Sequence, residues 1–505
     1  MPNIILINPR VTSSRLPYKK NEAAREPLGV LAIGSFLQIH GYEVDIIDAK
    51  LYSEEEVKER LNSSINDTTI FVGFSVMTAQ VPHALELSKY LKQIRAKTHI
   101  LWGGIHPTLF PDQTSLDPNV DLVVFGPGES TVLEIAQKIE FCELHFDKTK
   151  GVAYKGKVNN PRERDNMDAF PFFDYDLLDL KRYLGPSPHY LLSDTPILAL
   201  NVLSSRGCPW RCGFCINHAI KNRWRALTAD RFLDELENLI NKYNLQAVRI
   251  LDEDFFVSKR RVTTFIKGMK KRNIKITWGT NVRANYFKDD YITVEYAKEL
   301  KDIGLKFLTF GAESGSNRVL KLLHKDITVD QILRSAETCA IADIMPNYSW
   351  MIGIPGQTKE EMRSNISLAR QINEICPKAT HTPNWVFRPL PGGNLYDTAK
   401  SIGLKEPGSL LEWSKFGVDE ESNTGSYSVY EYPWVEDPQF VEFLSTFSKL
   451  IAASPESRFN IKGFIISKIS RYIYKTWDWF ILGYFSKKLG DFIRIAYEKR
   501  YSTGH

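Results

Sequence analysis

The sequence predicts an α/β chain with an N-terminal doubly wound parallel sheet, a partial (β/α)6 barrel and a mainly helical C-terminal extension. Three observations predict this. Short β-branched runs alternate with amphipathic segments through the first 140 residues, the alternation returns between Ile197 and Arg388, and the last fifty residues carry apolar side chains at helical spacing. At roughly 150 residues per domain, the 505 residues make about three domains. The boundaries read as 1–140 for the sheet, 141–195 for a linker, 196–400 for the barrel and 401–505 for the helical domain.

In the first domain, Ile4–Asn8, Val44–Asp48, Phe71–Ser75, Ile100–Gly103 and Asp121–Phe125 read as strands, with helices over Leu28–His40, Val81–Ile94 and Ser130–Ile139. Continuous apolar runs such as Ile4–Ile7 suit strands buried on both faces. Residues 141–195 are rich in Pro, Asp and Asn and show no sustained period, as in a linker. Six barrel strands follow: Ile197–Leu203, Ala247–Leu251, Ile276–Asn281, Phe307–Phe310, Tyr348–Gly353 and Trp385–Arg388. Helices over Leu227–Asn244, Arg260–Arg272, Asp289–Ile303, Val329–Ala342 and Lys359–Glu374 separate them. Six units fall short of the eight that close a barrel, so a lateral opening is expected, with the functional groups at the carboxyl ends of the strands.

Apolar residues at 43% and charged residues at 25% are near the averages of soluble globular proteins, so the composition argues neither for disorder nor for a fibrous or integral-membrane chain. The N-terminus, Met1-Pro2-Asn3-Ile4-Ile5-Leu6, lacks the marks of a signal peptide, so a cytoplasmic location is expected. From Glu456 to His505 ten Lys and Arg stand against four Asp and Glu, more than the whole net charge of +5. The rest is near neutral, which argues against a nucleic-acid-binding protein.

Ligands of doubly wound sheets bind at the carboxyl ends of the strands. Four unusual loops lie there: Asn8-Pro9-Arg10, Ser75-Val76-Met77-Thr78, Gly103-Gly104-Ile105-His106-Pro107-Thr108 and Gly126-Pro127-Gly128-Glu129-Ser130. Ordinary turn chemistry explains any one of them. Four on one edge make Ser75, Thr78, Gly103, Gly104, His106 and Glu129 candidate ligand-binding residues, since glycine permits close backbone approach and hydroxyls hold polar groups.

Cys142, Cys339 and Cys376 are scattered, whereas Cys208, Cys212 and Cys215 fall within eight residues directly after the first barrel strand. In Cys208-Pro209-Trp210-Arg211-Cys212-Gly213-Phe214-Cys215 three thiolates on one tight loop can hold three irons of a cubane cluster and leave the fourth open. Structural zinc is the competing reading, with His218 as a fourth ligand.

This Cys-x3-Cys-x2-Cys loop, with Phe214 before the last cysteine, resembles the signature of the radical S-adenosylmethionine (SAM) superfamily. The N-terminal sheet with its Gly103-Gly104-Ile105-His106-Pro107-Thr108 loop resembles the flavodoxin-like cobalamin-binding domain of the class B radical SAM methylases and the anaerobic magnesium-protoporphyrin cyclase group. Together they span residues 1 to about 400. The resemblance implies three cofactors, a 4Fe-4S cluster on Cys208, Cys212 and Cys215, SAM, and cobalamin. It also implies that a carboxylate of Leu251-Asp252-Glu253-Asp254, taken as Glu253, accepts hydrogen bonds from the SAM ammonium and that Arg283 pairs with the SAM carboxylate. Glu313 and Ser314 of Gly311-Ala312-Glu313-Ser314-Gly315 would lie on the ribose side, and Ile354 of Met351-Ile352-Gly353-Ile354-Pro355 on the adenine side. No His follows an Asp by two positions, so cobalamin without a His ligand from the Asp-x-His-x-x-Gly motif is expected, with His106 near the cofactor.

By the same resemblance, SAM bound to the open iron is cleaved to methionine and a 5′-deoxyadenosyl radical, which abstracts hydrogen from unactivated carbon. The implied function is cobalamin-dependent C-methylation of a small-molecule or lipid substrate, with a reductant protein such as flavodoxin or ferredoxin as partner. A cyclase or oxidoreductase without methyl transfer is the alternative. A non-catalytic cobalamin or iron-sulfur sensor would not need the SAM-side loops. At the C-terminus, Ile465, Ile469, Ile473, Trp477 and Phe480 recur at helical spacing among basic residues in Phe464–Phe485, and a second such segment runs Leu489–Arg500. Such helices either cap the barrel or give residues 456–505 peripheral contact with an anionic membrane.

Overall fold

A computed structural model describes residues 3–11, 25–183, 197–414, 429–452, 461–478 and 487–489. In the first sheet, β1 (Asn3–Asn8), β2 (Glu43–Asp48), β3 (Thr69–Ser75), β4 (His99–Gly103) and β5 (Leu122–Val124) run parallel in the order β2-β1-β3-β4-β5. Successive residues of β1 serve opposite faces. Ile4 and Leu6 pack with Val132 and Ile135 of the helix Glu129–Glu140, while Ile5 and Ile7 share a core with Ala84 and Leu87 of the helix Val81–Ile94. Both faces being covered explains the uninterrupted apolar run.

Part of the segment read as a linker belongs to this sheet. β6 (Val152–Tyr154) and β7 (Lys157–Val158) add an antiparallel hairpin beyond β5, and at three and two residues they are too short to show a period. The residues after it strap the two domains together. The Asp174 amide donates to Ser35 Oγ at 2.8 Å, the Tyr183 hydroxyl to Asp48 at 2.7 Å, and the Tyr175 hydroxyl to the Asn201 carbonyl at 2.6 Å. From the N-terminal side, the buried Glu26 carboxylate accepts from the Asn201 amide and side chain.

The second domain contains β8 (Ala199–Val202), a two-residue ribbon of β9 (Ser205–Arg206) and β10 (Arg225–Ala226), then β11 (Ala247–Ile250), β12 (Thr277–Val282), β13 (Leu305–Glu313), β14 (Met345–Ile352) and β15 (Thr380–Val386). Its sheet runs β15-β14-β13-β12-β11-β8, all parallel, with β8 and β15 as unjoined edges, which is the partial barrel. Its principal helices begin on Ser or Thr caps. Thr228, Ser258, Thr293, Thr328 and Thr358 each accept a backbone N–H three residues on, and Thr293 is why the fourth-strand approach helix starts at Val294 rather than Asp289. The last strand begins five residues before the predicted Trp385. Its Thr380-His381-Thr382-Pro383 start is polar, and a proline is tolerated because β15 is an edge.

The helix Pro438–Ala452 lies along β15, where Ser448 Oγ accepts the Asn384 amide at 2.9 Å. Phe440, Phe443 and Phe447 are buried, and the helix Ile461–Thr476 packs over them with Ile473 and Trp477 inward. Of the two C-terminal segments, the described part of the first, up to residue 478, therefore caps the barrel; Phe480 and the second segment beyond Leu489 lie outside the described residues. Among the described residues no helix is long and apolar enough to cross a membrane.

Candidate active site

The loop bearing the three cysteines is fixed from below by one carboxylate. Asp252, fully buried at the end of β11, accepts the backbone N–H groups of Ser204 and Ser205 at 2.7 and 2.9 Å and both hydroxyls at 2.6 Å. Gly207 immediately precedes the first cysteine. With φ of +79°, a side chain there would press its Cβ to 2.6 Å from the Arg223 carbonyl. Its amide donates to Glu253 at 3.1 Å, so two adjacent carboxylates order the loop's entry. On the far side the Gly213 amide donates to the Leu323 carbonyl, and the Gly213 carbonyl accepts from Leu395.

Cys212 is buried and Cys208 and Cys215 half-buried, all with free thiols. Burial pushes the Cys208 thiol up to about 12 and raises Cys215 as well. Three free cysteines on one loop, each able to take its own iron of a cubane site, fit the cluster and leave a fourth iron open.

Around it stand groups the sequence reading placed on SAM. The Arg283 guanidinium lies 4.1 Å over the Trp210 ring, donates from Nη1 toward Cys212 Sγ at 3.5 Å and from Nη2 to the Lys325 carbonyl, and leaves its buried Nε unpaired. Glu313, with φ of +64°, pairs with Lys325 at 3.0 Å in a nearly buried ion pair, and Lys325 faces the Phe214 ring. Ser314 is wholly buried and its hydroxyl accepts the Ser316 amide. Ile354 joins Phe214, Val319 and Leu395 in an apolar cluster behind the loop. Trp210, Asp254 and Tyr286 were not anticipated. The Asp254 carboxylate, raised to about 6 by burial, accepts the Trp210 indole N–H at 3.0 Å and the Tyr286 hydroxyl at 2.8 Å.

The strand ends of the first sheet face this loop across a cavity of about 560 Å³, adjoined by a second of about 440 Å³. Ser75, Gly103, Gly104 and Glu129 line the larger from one domain; Arg206, Asn217, Asn222 and Glu253 line it from the other. Its floor is apolar, with Leu6, Ile33, Phe71 and Val124, and its rim is glycine. Gly104, at φ of +99°, sits so close to β3 that a Cβ would stand 2.7 Å from the Val76 amide. A glycine rim over an apolar groove fits a bulky cofactor such as cobalamin. Burial raises the Glu129 carboxyl, but its ion pair with Arg206 outweighs this and holds it below the usual range.

His106 lies away from the lining of both cavities. It is fully buried and packs edge-on against Trp413 at 5.4 Å with Phe110 beside it. Burial lowers it to about 3, its Nε2 has no hydrogen-bond partner among the described residues, and its Nδ1 lies 3.4 Å from Thr78 Oγ1. Thr78 likewise lines neither cavity, while its neighbours Met77 and Gln80 do.

Comparison with known proteins identifies both domains. Residues 202–369 match the radical SAM superfamily model and residues 23–136 the B12 binding domain. The uncharacterized methyltransferase PH0819 of Pyrococcus horikoshii is 28% identical, over 77% of this chain and 81% of that protein. The anaerobic magnesium-protoporphyrin IX monomethyl ester cyclase of Rubrivivax gelatinosus is 24% identical over 72% of this chain, which spans 65% of that protein. The structure of the radical SAM methyltransferase TsrM from Kitasatospora setae, with cobalamin and a 4Fe-4S cluster bound, shares the fold at a TM-score of 0.65 and 16% identity, covering 90% of this chain and 89% of that one.

Proposed function

The chain belongs to the radical SAM enzymes that carry a B12-binding domain, and from that premise we propose a cobalamin-dependent methyltransferase acting on an unactivated carbon of a small-molecule or lipid substrate. The supporting observation is a cavity lined by the strand ends of one domain and by the residues just past the cluster loop of the other. When bound, the cluster with SAM supplies a 5′-deoxyadenosyl radical, and cobalamin supplies a methyl group.

The chain's own residues hold and shield. Cys208, Cys212 and Cys215 carry the cluster, and Asp252 keeps their loop in one conformation. Phe214, Ile354, Val319 and Leu395 keep water from its rear, which matters for a reaction that abstracts hydrogen indiscriminately. Glu253 and the Glu313–Lys325 pair are the proposed contacts of the SAM amino acid and ribose, with Arg283 reaching the SAM carboxylate. Gly103 and Gly104 let cobalamin approach the backbone, with Ser75 and Glu129 beside them.

The test is anaerobic reconstitution of the full chain with iron, sulfide, cobalamin, SAM and dithionite, for which flavodoxin or ferredoxin is the proposed cellular substitute. Methionine, 5′-deoxyadenosine and S-adenosylhomocysteine are expected together. Deoxyadenosine without S-adenosylhomocysteine would favour the cyclase or oxidoreductase reading, in keeping with the 24% identical cyclase. Absence of both would leave a sensor.

A further inference from the structure

The ribbon of β9 and β10 places Arg206 directly opposite Arg225. Like charges facing each other across paired strands destabilise the pair. Both line the smaller cavity, where Arg164 joins them. Glu129 neutralises Arg206. Among the described residues no carboxylate pairs with Arg164 or Arg225. Arg225 donates from Nη1 to the Asp165 backbone carbonyl at 3.1 Å, and its buried Nε has no partner. Burial, with the charges of Arg206 and Arg164, lowers the Arg225 guanidinium against the opposing pull of Glu129 and Asp165, and burial and Arg223 lower that of Arg164. The fold thus gathers three guanidinium groups at one rim, of which only Arg206 has a directly paired carboxylate among the described residues. Asn222 and Ile220, which line the same rim, follow the cluster cysteines within seven residues.

We propose that Arg164, Arg206 and Arg225 form a subsite for an anionic group of the substrate, a carboxylate or a phosphate, at the rim of the interdomain cavity. Planar guanidinium groups bind both anions through paired N–H donors, and an anion there resolves the Arg206–Arg225 repulsion. An anchored anion would leave the rest of the substrate reaching toward the cavity that Glu253 and Asn217 line. This rests on the proposed methyltransferase reading, with the substrate entering beside cobalamin at the rim of the smaller cavity.

The test uses the full chain loaded with cobalamin and cluster, and inorganic phosphate as the probe. Potassium phosphate should raise the thermal unfolding midpoint saturably above potassium chloride of equal ionic strength. Arg164→Gln with Arg225→Gln should need about tenfold more phosphate for the same rise. No rise over chloride in the unmodified chain, or an equal rise in the double variant, overturns the proposal. Cobalamin carries a phosphodiester of its own, so its binding is compared with that of cobinamide, which lacks the nucleotide. The double variant should bind both as the unmodified chain does; a loss confined to cobalamin would give the arginines to the cofactor and overturn the proposal. Should the double variant fail to fold, Arg164→Gln alone, at an exposed residue, should weaken phosphate about threefold, and an unchanged response overturns the proposal. Deoxyadenosine formation is read separately, so loss of the methyltransferase reading and loss of the anion site give different results.

Discussion

Asp252 and Ser204 are joined twice, the carboxylate accepting the serine amide at 2.7 Å and its hydroxyl at 2.6 Å. With Ser205 bound in the same way, one buried side chain satisfies four donors at the entry to the cluster loop. Asp252→Ala leaves all four unpaired and should cost about 3 kcal/mol or more. Iron and sulfide retained per chain after reconstitution, together with urea unfolding, measure this. A variant with full iron content and unchanged midpoint would show that the clamp does not hold the loop.

Gly103 and Gly104 should respond differently to the same methyl group. At Gly104 an alanine meets the Val76 backbone at a positive φ, and a loss of about 2 kcal/mol with weakened cobalamin binding is expected. At Gly103 the nearest atom to a new Cβ is 3.6 Å away, and near-normal binding is expected. Absorbance titration with cobalamin distinguishes the two, and equal effects would refute the close-approach account.

Glu235, on the helix Ala229–Tyr243, is raised to about 7 by burial, against which the Phe173 amide lowers it. The folded chain therefore binds this proton more tightly than the unfolded chain does. The stability it contributes is full below about 4.5 and fades as pH rises through 7, a change of about 3 kcal/mol. Glu235→Gln keeps an acceptor for Phe173 and removes the titration. It should be more stable than the unmodified chain at pH 8 by about that amount, with the difference shrinking toward pH 4.5. Unfolding midpoints at several pH values check it; parallel curves would count against it.

Trp413 is wholly buried and stacks near His106 and Phe110, joining the C-terminal segment to the first domain. Trp413→Ala should cost about 3 to 5 kcal/mol and expose the segment around Ser409 to protease. Unchanged digestion would mean that the ring does not hold the segment.

The cluster loop was legible because its chemistry is local: three cysteines in eight residues identify themselves before any fold is known. The strands of the first sheet were equally plain, since burial on both faces leaves an apolar run. What depended on distant partners was not. Arg206 and Arg225 are 19 positions apart and ordinary in isolation, and only the β9–β10 register brings them face to face. His106 sits in a loop that marks a strand end, yet which way its ring turns is decided by Trp413, three hundred residues later. The helix Ile461–Thr476 shows the same limit: Ile473 faces the core while Ile465 and Tyr472 are half exposed, and an apolar stripe alone does not tell a protein surface from a lipid one.

The strap through Asp174, Tyr175 and Tyr183 bears on how such a chain can be rebuilt. Its residues fasten to Ser35 and Asp48 on one side and to Asn201 on the other, and Glu26 crosses the same seam. The halves are consequently not interchangeable cassettes. A chimera that borrows its first domain from a relative, joined near residue 140, would pair foreign surfaces with a native strap; grafting at Tyr183 keeps the hairpin, the strap and Ser35 from one parent, and leaves the contacts to Asn201, Arg206, Arg225 and Trp413 to be matched.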